Sequence, residues 1–406
     1  MQSYFDDQQR QQRNILQADE VLRKCVHCGF CNVTCPTYQL LGDELDGPRG
    51  RIYQIKTALE QQQASSTLQL HLDRCLSCRN CETTCPAGVQ YSVLLDIGRD
   101  LVEQQVARPM GQRLKRRLLR WGLTRRPLFA TILGLGRVAR PILPAALNSR
   151  VPPLRRAGGE PRRQLDRKMV LLQGCVQPAI DPSINGALKR IFDRLGITLV
   201  ESKAAGCCGA IDHHLSAEAA ALQRMRDNID AWWPLISEGA EAIISGASGC
   251  GVTLADYGRL LAADSEYAQK AARITELVKD PVEVLEQENL QFLARKPVMR
   301  VAFQSPCTLQ HGLKLGGRVE ALLMKLGHQL LPVAHSETCC GSAGTYSLLQ
   351  PELSDQLRQN KLTALSVDQP EMILTANIGC QIHLQRDNPI PVQHWLYLLD
   401  PARTDA

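Results

Sequence analysis

The 406 residues contain no run of about 18 uncharged apolar residues, the length a helix needs to cross a bilayer. The best candidate, LFATILGLG at 128–136, is cut off by Arg137, so the sequence predicts no membrane span. The N-terminus, MQSYFDDQQRQQRNILQADE, is polar and acidic and lacks an apolar h-region. It does not resemble a secretory signal, and the expected location is the cytoplasm. Low complexity is lacking too, because 44% apolar content is that of an ordinary globular chain, long enough for about two to four domains. Nor is there a flavin motif, which leaves no evident means of oxidising an organic substrate by this chain alone. No catalytic residue is assigned.

What is there in excess is cysteine, sixteen in all. In a reducing compartment structural disulfides are disfavoured, and thiolates held by metal become the default explanation. The cysteines are clustered. CVHCGFCNVTCP at 25–36 and CLSCRNCETTCP at 75–86 repeat the pattern C-x2-C-x2-C-x3-C-P. A disulfide scaffold has no need of such fixed spacing. Three cysteines at two-residue intervals can wrap one face of a [4Fe–4S] cube, with the intervening backbone amides pointing at its sulfides. In the bacterial two-cluster ferredoxin pattern the fourth cysteine ligates the other cluster. That pattern assigns Cys25, Cys28, Cys31 and Cys85 to one cluster, and Cys75, Cys78, Cys81 and Cys35 to the second.

Zinc knuckles also use C-x2-C pairs, but two identical four-cysteine runs exceed what zinc requires. His27 is read as a packing or hydrogen-bonding residue, since each site already has four thiolates. Pro36 and Pro86 follow the crossing cysteines, where a fixed φ and a missing N–H suit a chain leaving the site. The segment between the quartets, 42–74, reads as largely helical, so the expected domain is all-helical. Arg49 and Arg51, placed near the first cluster, either tune its potential or lie on a solvated surface.

The net charge of +6 is unevenly spread. Residues 108–168 hold 17 Lys/Arg against Glu160 and Asp166, a local +15 that leaves the rest of the chain at −9. Within this stretch RLKRRLLRWGL at 113–123 places Leu114, Leu118 and Trp121 on one face of a basic helix. Such a helix suits an anionic bilayer, and equally a protein or partner-subunit surface. Nucleic acid is not the expected partner, because no binding module accompanies the charge. GLGRVA at 134–139 fits a dinucleotide fingerprint on paper, but Pro141 and Pro144 interrupt the chain just beyond it, and the motif is rejected.

From 168 onward the chain repeats itself. Cys175, Cys207, Cys208 and Cys250 recur as Cys307, Cys339, Cys340 and Cys380 at offsets of 132, 132, 132 and 130. Each copy shows a short apolar run, a helical pattern and a second run leading into Cys-Cys-Gly. This alternation predicts a parallel sheet with the cysteines on loops at one rim. Four thiols converging in each copy would make a redox or cluster-binding site; buried thiols or a vicinal disulfide are the alternative. The expected organisation is 1–105 for the di-cluster domain, 106–167 for a basic amphipathic linker, and 168–295 and 296–406 for two α/β Cys-Cys-Gly domains.

The Cys-Cys-Gly repeats resemble the cysteine-rich domains of heterodisulfide reductase, of anaerobic glycerol-3-phosphate dehydrogenase and of lactate-utilisation iron–sulfur proteins. The whole layout most closely resembles the iron–sulfur subunits of bacterial glycolate oxidase. In heterodisulfide reductase the motif ends in C-x2-C and supplies a fifth thiolate, whereas Thr253 and His383 stand at that position here. The resemblance makes Cys307, Cys339, Cys340, Cys380 and His383 the candidate third iron–sulfur site, with Cys175, Cys207, Cys208 and Cys250 as redox or structural thiols.

It also implies an electron-transfer subunit that carries two [4Fe–4S] clusters. Electrons would pass from an FAD-binding subunit oxidising glycolate or D-lactate to a quinone or other membrane acceptor, with the chain peripheral on the inner face of the cytoplasmic membrane. The alternatives are the iron–sulfur subunit of a glycerol-3-phosphate or L-lactate system, or a heterodisulfide reductase-type catalytic subunit.

Overall fold

The computed structural model describes residues 1–144, 148, 151–161, 163, 165–291 and 298–402. The boundary expected at 295/296 and parts of the basic stretch lie outside the described residues. Packing divides the chain into two units that do not follow linear order: 1–115 together with 335–361, and 116–334 together with 362–406. The Cys-Cys-Gly segment of the second repeat therefore belongs with the N-terminal helices.

None of the strands described falls in the first unit. Helix α1 (Arg13–Lys24) buries Ile15, Ala18, Val21 and Leu22, an apolar stripe at helical spacing. The short helices α2 (Phe30–Val33) and α3 (Pro36–Leu41) follow. Helix α4 (Pro48–Gln61) opens on a proline whose missing N–H costs nothing in a first turn. Helix α5 (Ser66–Asp73) is capped by Ser65, whose hydroxyl accepts from the Leu68 N–H at 3.1 Å. Helices α6 (Asn80–Thr84) and α7 (Tyr91–Gln105) complete the set. Leu22, Ile55, Leu72 and Leu94 meet in one core. Each contributes about 1.5–3 kcal/mol by leaving water.

That core positions the quartets. Helix α1 ends where the Cys25 N–H bonds the Leu22 carbonyl at 3.0 Å, and α5 ends where the Cys75 N–H bonds the Leu72 carbonyl at 3.2 Å. Both cysteine loops thus leave helices anchored by a buried leucine three residues upstream.

The basic stretch is helical over α8 (Met110–Leu123) and α9 (Arg126–Ala139). Leu114, Leu118 and Trp121 on α8 are 58%, 55% and 49% exposed. Helix α9 packs Phe129 and Leu133 into the core of the second unit and exposes Ile132, Leu135 and Val138 on its other side. The GLGRVA motif lies wholly inside α9 with no strand before it, which is the wrong context for a dinucleotide fingerprint.

The second unit holds two parallel four-stranded sheets of identical order. In the first, β1 (Arg167–Leu172), β2 (Ile197–Val200), β3 (Ile243–Ser245) and β4 (Val278–Lys279) lie as β2-β1-β3-β4. In the second, β5 (Arg300–Gln304), β6 (Gln329–Leu331), β7 (Met372–Thr375) and β8 (Val392–His394) lie as β6-β5-β7-β8. Leu171, Ile244, Phe303, Leu374 and Trp395 share one core, so the two repeats bury apolar faces together.

In each sheet the chain goes to one side of the first strand and then crosses to the other. This is the switch point beside which α/β folds collect chemistry at the carboxyl ends of strands. Cys175 follows β1, Cys207 and Cys208 follow β2, and Cys250 follows β3. One expectation needs correcting: Cys250 and Cys380 sit in the first turns of helices Ser248–Ala255 and Ile378–Gln385, not on loops. Helix begins within three residues of β3 and β7, leaving no loop to hold them.

Candidate metal centre

The two quartet loops share a backbone. His27 and Gly29 take φ of 57° and 85°, and the residues fifty positions on, Ser77 and Arg79, take 54° and 58°. Left-handed residues in alternation turn successive amides to the inside of the loop, a concave array suited to a group that accepts hydrogen bonds. Three of the four are not glycine, so the conformation is held at a cost of roughly 1–2 kcal/mol each. The Ser77 N–H reaches back to Cys75 Sγ at 3.5 Å, and the His27 N–H bonds Cys25 Sγ in the same way.

Cys25, Cys28, Cys31 and Cys85 line one cavity, together with His27, Arg49, Cys81 and Tyr91. Burial first, and then the neighbouring thiols Cys25, Cys85 and Cys28, push the Cys31 thiol up to about 11. Burial likewise raises Cys25, where Cys85 and Cys28 act in the same direction. Cys35, Cys75, Cys78 and Cys81 line a second cavity. Burial raises Cys81, reinforced by Cys78 and Cys75 and, more weakly, by Cys35. Cys81, Pro48 and Tyr91 line both cavities, so the two adjoin.

Four thiols that oppose one another's ionisation form a poor arrangement for free cysteines and a good one for a cationic centre that neutralises four thiolates. None of the sixteen cysteines is in a disulfide. The donor set, sulfur only and with inward amides, fits iron–sulfur clusters.

His27 sets its ring edge-on to Tyr53 at 6.1 Å, a packing contact. Arg51 requires a correction. It stands about 200° round α4 from Arg49, at 3.6 residues per turn, so the two face opposite ways. Arg49 lines the first cavity and pairs with Glu44 at 2.6 Å. Arg51 lines the second, 1% exposed, with Nη1 4.0 Å from Cys35 Sγ. It is neither near the first cavity nor on a solvated surface.

In the first Cys-Cys-Gly copy the four thiols converge. Hydrogen bonds from Cys175 and Cys208 hold Cys207 well below the ordinary thiol value, while the bond to Cys207 pushes Cys175 well above it. Cys208 also bonds Cys250 and is pushed up by Cys207, Cys250 and burial. Gly209 takes φ of 94°, and its N–H serves Cys207 Sγ. Gly341 takes 88° and donates to Cys339 Sγ at 3.4 Å. A Cβ on Gly341 would meet the Ser354 carbonyl at 2.6 Å, so only glycine fits there.

Cys339 and Cys340 lie in the first unit, where Cys75 and Cys339 both act on the buried Tyr346. Cys307, Cys380 and His383 lie in the second, the last two buried one turn apart on helix Ile378–Gln385. Thr253 spends its hydroxyl on the Gly249 carbonyl at 3.1 Å.

Residues that the sequence does not advertise support these loops. Asp46 accepts from Arg51, which lines the second cavity, and from Arg74 and His71. Asn228 and Tyr257 bond the carbonyls of Cys207 and Cys208 at 2.9 and 2.8 Å. Arg224, anchored by the buried Asp212, lends its charge to Cys207. No short motif marks them; for Asp46 the one signal is its place in LDGPRG, at the start of α4.

The fold and the sites define an iron–sulfur protein in which a helical di-cluster module precedes tandem cysteine-rich α/β domains. A family described as "4Fe-4S dicluster domain" matches residues 21–89, and one described as "Cysteine-rich domain" matches 169–255 and 301–385. The glycolate oxidase iron–sulfur subunit of Escherichia coli (strain K12) is 51% identical over 404 residues, covering 99% of each chain, and the chain belongs to that family. The probable glycolate oxidase iron–sulfur subunit of Bacillus subtilis (strain 168) is 28% identical over 396 residues, covering 90% of this chain and 88% of its own. Lactate utilization protein A of Anoxybacillus flavithermus is 23% identical over 239 residues, 56% of this chain and 96% of its own.

Proposed function

We propose that the chain is the electron-carrying subunit of a complex that oxidises glycolate, holding two [4Fe–4S] clusters and working beside an FAD-binding subunit. The observation that carries this reading is the grouping of eight cysteines round two adjoining cavities: Cys25, Cys28, Cys31 and Cys85 line one, Cys35, Cys75 and Cys78 line the other, and Cys81 lines both. Cys25, Cys28, Cys31 and Cys85 hold one cluster, and Cys75, Cys78, Cys81 and Cys35 hold the second. Bound there, the clusters supply one-electron redox chemistry, matching a two-electron flavin to single-electron acceptors. The protein's part is to fix the sulfurs, present amides to them and wall the sites with Arg51 and Tyr91.

The acceptor in this reading is a quinone or another membrane carrier, and the chain docks on the inner face of the cytoplasmic membrane. The exposed apolar stripe and basic flanks of α8 support that docking. No helix among the described residues is long and apolar enough to cross a bilayer. Lactate utilization relatives align with over half the chain, which supports a module used with more than one 2-hydroxy acid system.

The Cys-Cys-Gly thiols are a further redox or ligand set. The four hydrogen-bonded thiols of the first copy support a site there, and in the second copy His383, one helical turn after Cys380, adds a further candidate ligand. To test the function, glycolate is added anaerobically to the iron-loaded chain with and without its co-purified flavoprotein. Bleaching of the iron–sulfur absorbance only when both are present is the expected result; bleaching by glycolate with the chain alone contradicts it.

A further inference from the structure

We propose that Arg51 and its buried partners make the second quartet the more oxidising of the two sites, so that an electron entering the chain comes to rest among Cys35, Cys75, Cys78 and Cys81. This rests on the two-cluster reading above. The quartet loops share their backbone, so what distinguishes the sites is what faces the sulfurs.

Around the second quartet the side chains are mainly donors and cations, opposed by the Glu82 carboxylate beside Cys81. Arg51 places Nη1 4.0 Å from Cys35 Sγ and is fixed by the His71 carbonyl at 2.8 Å, by Thr37 at 3.1 Å and by Asp46 at 3.3 Å. Tyr91 donates its hydroxyl to Cys75 Sγ at 3.8 Å. Asp46, fully buried, also takes Arg74 at 2.7 Å, so two guanidinium groups face one carboxylate and a positive charge is left over. Arg99 adds a third cation, donating to the Cys75 carbonyl and to Ser77 Oγ, each at 3.0 Å.

Around the first quartet the balance differs. Arg49 is matched by Glu44 in a half-exposed pair. The Met1 ammonium donates to the backbone carbonyls of Leu22 and Cys25, which leave its charge in place, so the first quartet has one surplus cation against Arg99 and the Arg51–Asp46–Arg74 surplus at the second. The side-chain contact to sulfur there is Asn32 Oδ1, an acceptor, 3.9 Å from Cys31 Sγ. Fifty residues after Thr37 the matching position is Ala87, with no hydroxyl to offer.

A second difference opposes the first. Three sulfurs of the second quartet are buried against one of the first, and burial alone disfavours the negative charge that reduction adds. The same burial leaves Arg51 unscreened, and hydrogen bonds to sulfur raise a cluster's potential, so the donors prevail. In the transfer one electron leaves the first site, oxidised by one unit, and enters the second, reduced by one. No bond forms or breaks and no proton moves. A reduced flavin on a partner supplies the electron, and dithionite does so in the test.

The test is a potentiometric EPR titration of the iron-loaded chain, with signals assigned through Cys28→Ser and Cys78→Ser. The higher-potential signal is expected to be the one that Cys78→Ser removes. Arg51→Gln should lower its midpoint by at least about 59 mV, a tenfold change in the reduced-to-oxidised ratio of a one-electron couple. Tyr91→Phe and Arg74→Gln should shift it the same way by less, and they decide the matter if Arg51→Gln fails to fold. Arg49→Gln should leave the order unchanged. Removal of the higher signal by Cys28→Ser, or a midpoint untouched by the variants, overturns the proposal. One signal with about four irons per chain removes the two-cluster reading itself, and the inference with it.

Discussion

The hydroxyls of Thr34 and Thr84 lie 3.0 Å apart, and each residue immediately precedes the cysteine that ends its quartet. One hydrogen bond thus ties the two chain crossings together at equivalent positions of the repeat. Asn80 joins them, donating to the Thr34 carbonyl at 3.1 Å.

Replacing Thr84 by valine removes that bond while the Thr34 hydroxyl keeps the Cys31 carbonyl at 3.4 Å; replacing Thr34 removes both bonds, at about 0.5–1.5 kcal/mol for each. Because the bond between the hydroxyls is lost in either single variant, the double variant should cost about as much as Thr34→Val alone. Melting followed by loss of iron–sulfur absorbance reads this. Fully additive shifts in the midpoint would show that the hydroxyls do not act as a pair.

Crossing of the fourth cysteines predicts which variants resemble each other. Cys85→Ser should remove or alter the EPR signal that Cys28→Ser affects, and Cys35→Ser the one that Cys78→Ser affects. Pairing by sequence neighbourhood, Cys35 with Cys28 and Cys85 with Cys78, would contradict the crossing.

Much of this was legible because metal ligation fixes spacing. The quartets and the Cys-Cys-Gly repeats announced the helical module, the doubled α/β domain and the parallel sheets. The side on which Arg51 falls was not legible, because it depends on where α4 starts, and two residues along a helix reverse the facing direction. Nor was the place of Cys339 and Cys340, since residues 335–361 leave the compact unit that holds both sheets. Periodicity reports local structure, and this is a tertiary choice.

Asp280 offers a pH test. It caps helix Pro281–Leu285, accepting from the Val282 N–H at 3.0 Å while its own N–H donates to Glu283 at 2.8 Å. Burial pushes its carboxyl up from 3.8 to about 7. Between those values the folded chain keeps a proton that the unfolded chain has released, so stability declines as pH rises through that window and levels off above it. Asp280→Asn keeps the cap without the charge and should gain on the wild type as pH rises, by at most about 4 kcal/mol at 1.36 kcal/mol per unit. Melting curves of the two proteins that run parallel from pH 4 to 8 contradict this.

Docking on an anionic surface predicts that the chain floats with vesicles containing phosphatidylglycerol and not with phosphatidylcholine alone, and that salt weakens the binding. Leu114→Ser with Leu118→Ser should reduce it at least tenfold, since each leucine inserted contributes about 1.5–3 kcal/mol. Equal flotation of wild type and variant would remove α8 from the contact.

The most direct measurement is metal quantification with EPR on the chain purified without oxygen. The account predicts about eight irons per chain and two interacting [4Fe–4S] signals, with about twelve irons if the Cys-Cys-Gly thiols hold a further centre. Zinc in place of iron, or a preparation without visible absorbance, would contradict it.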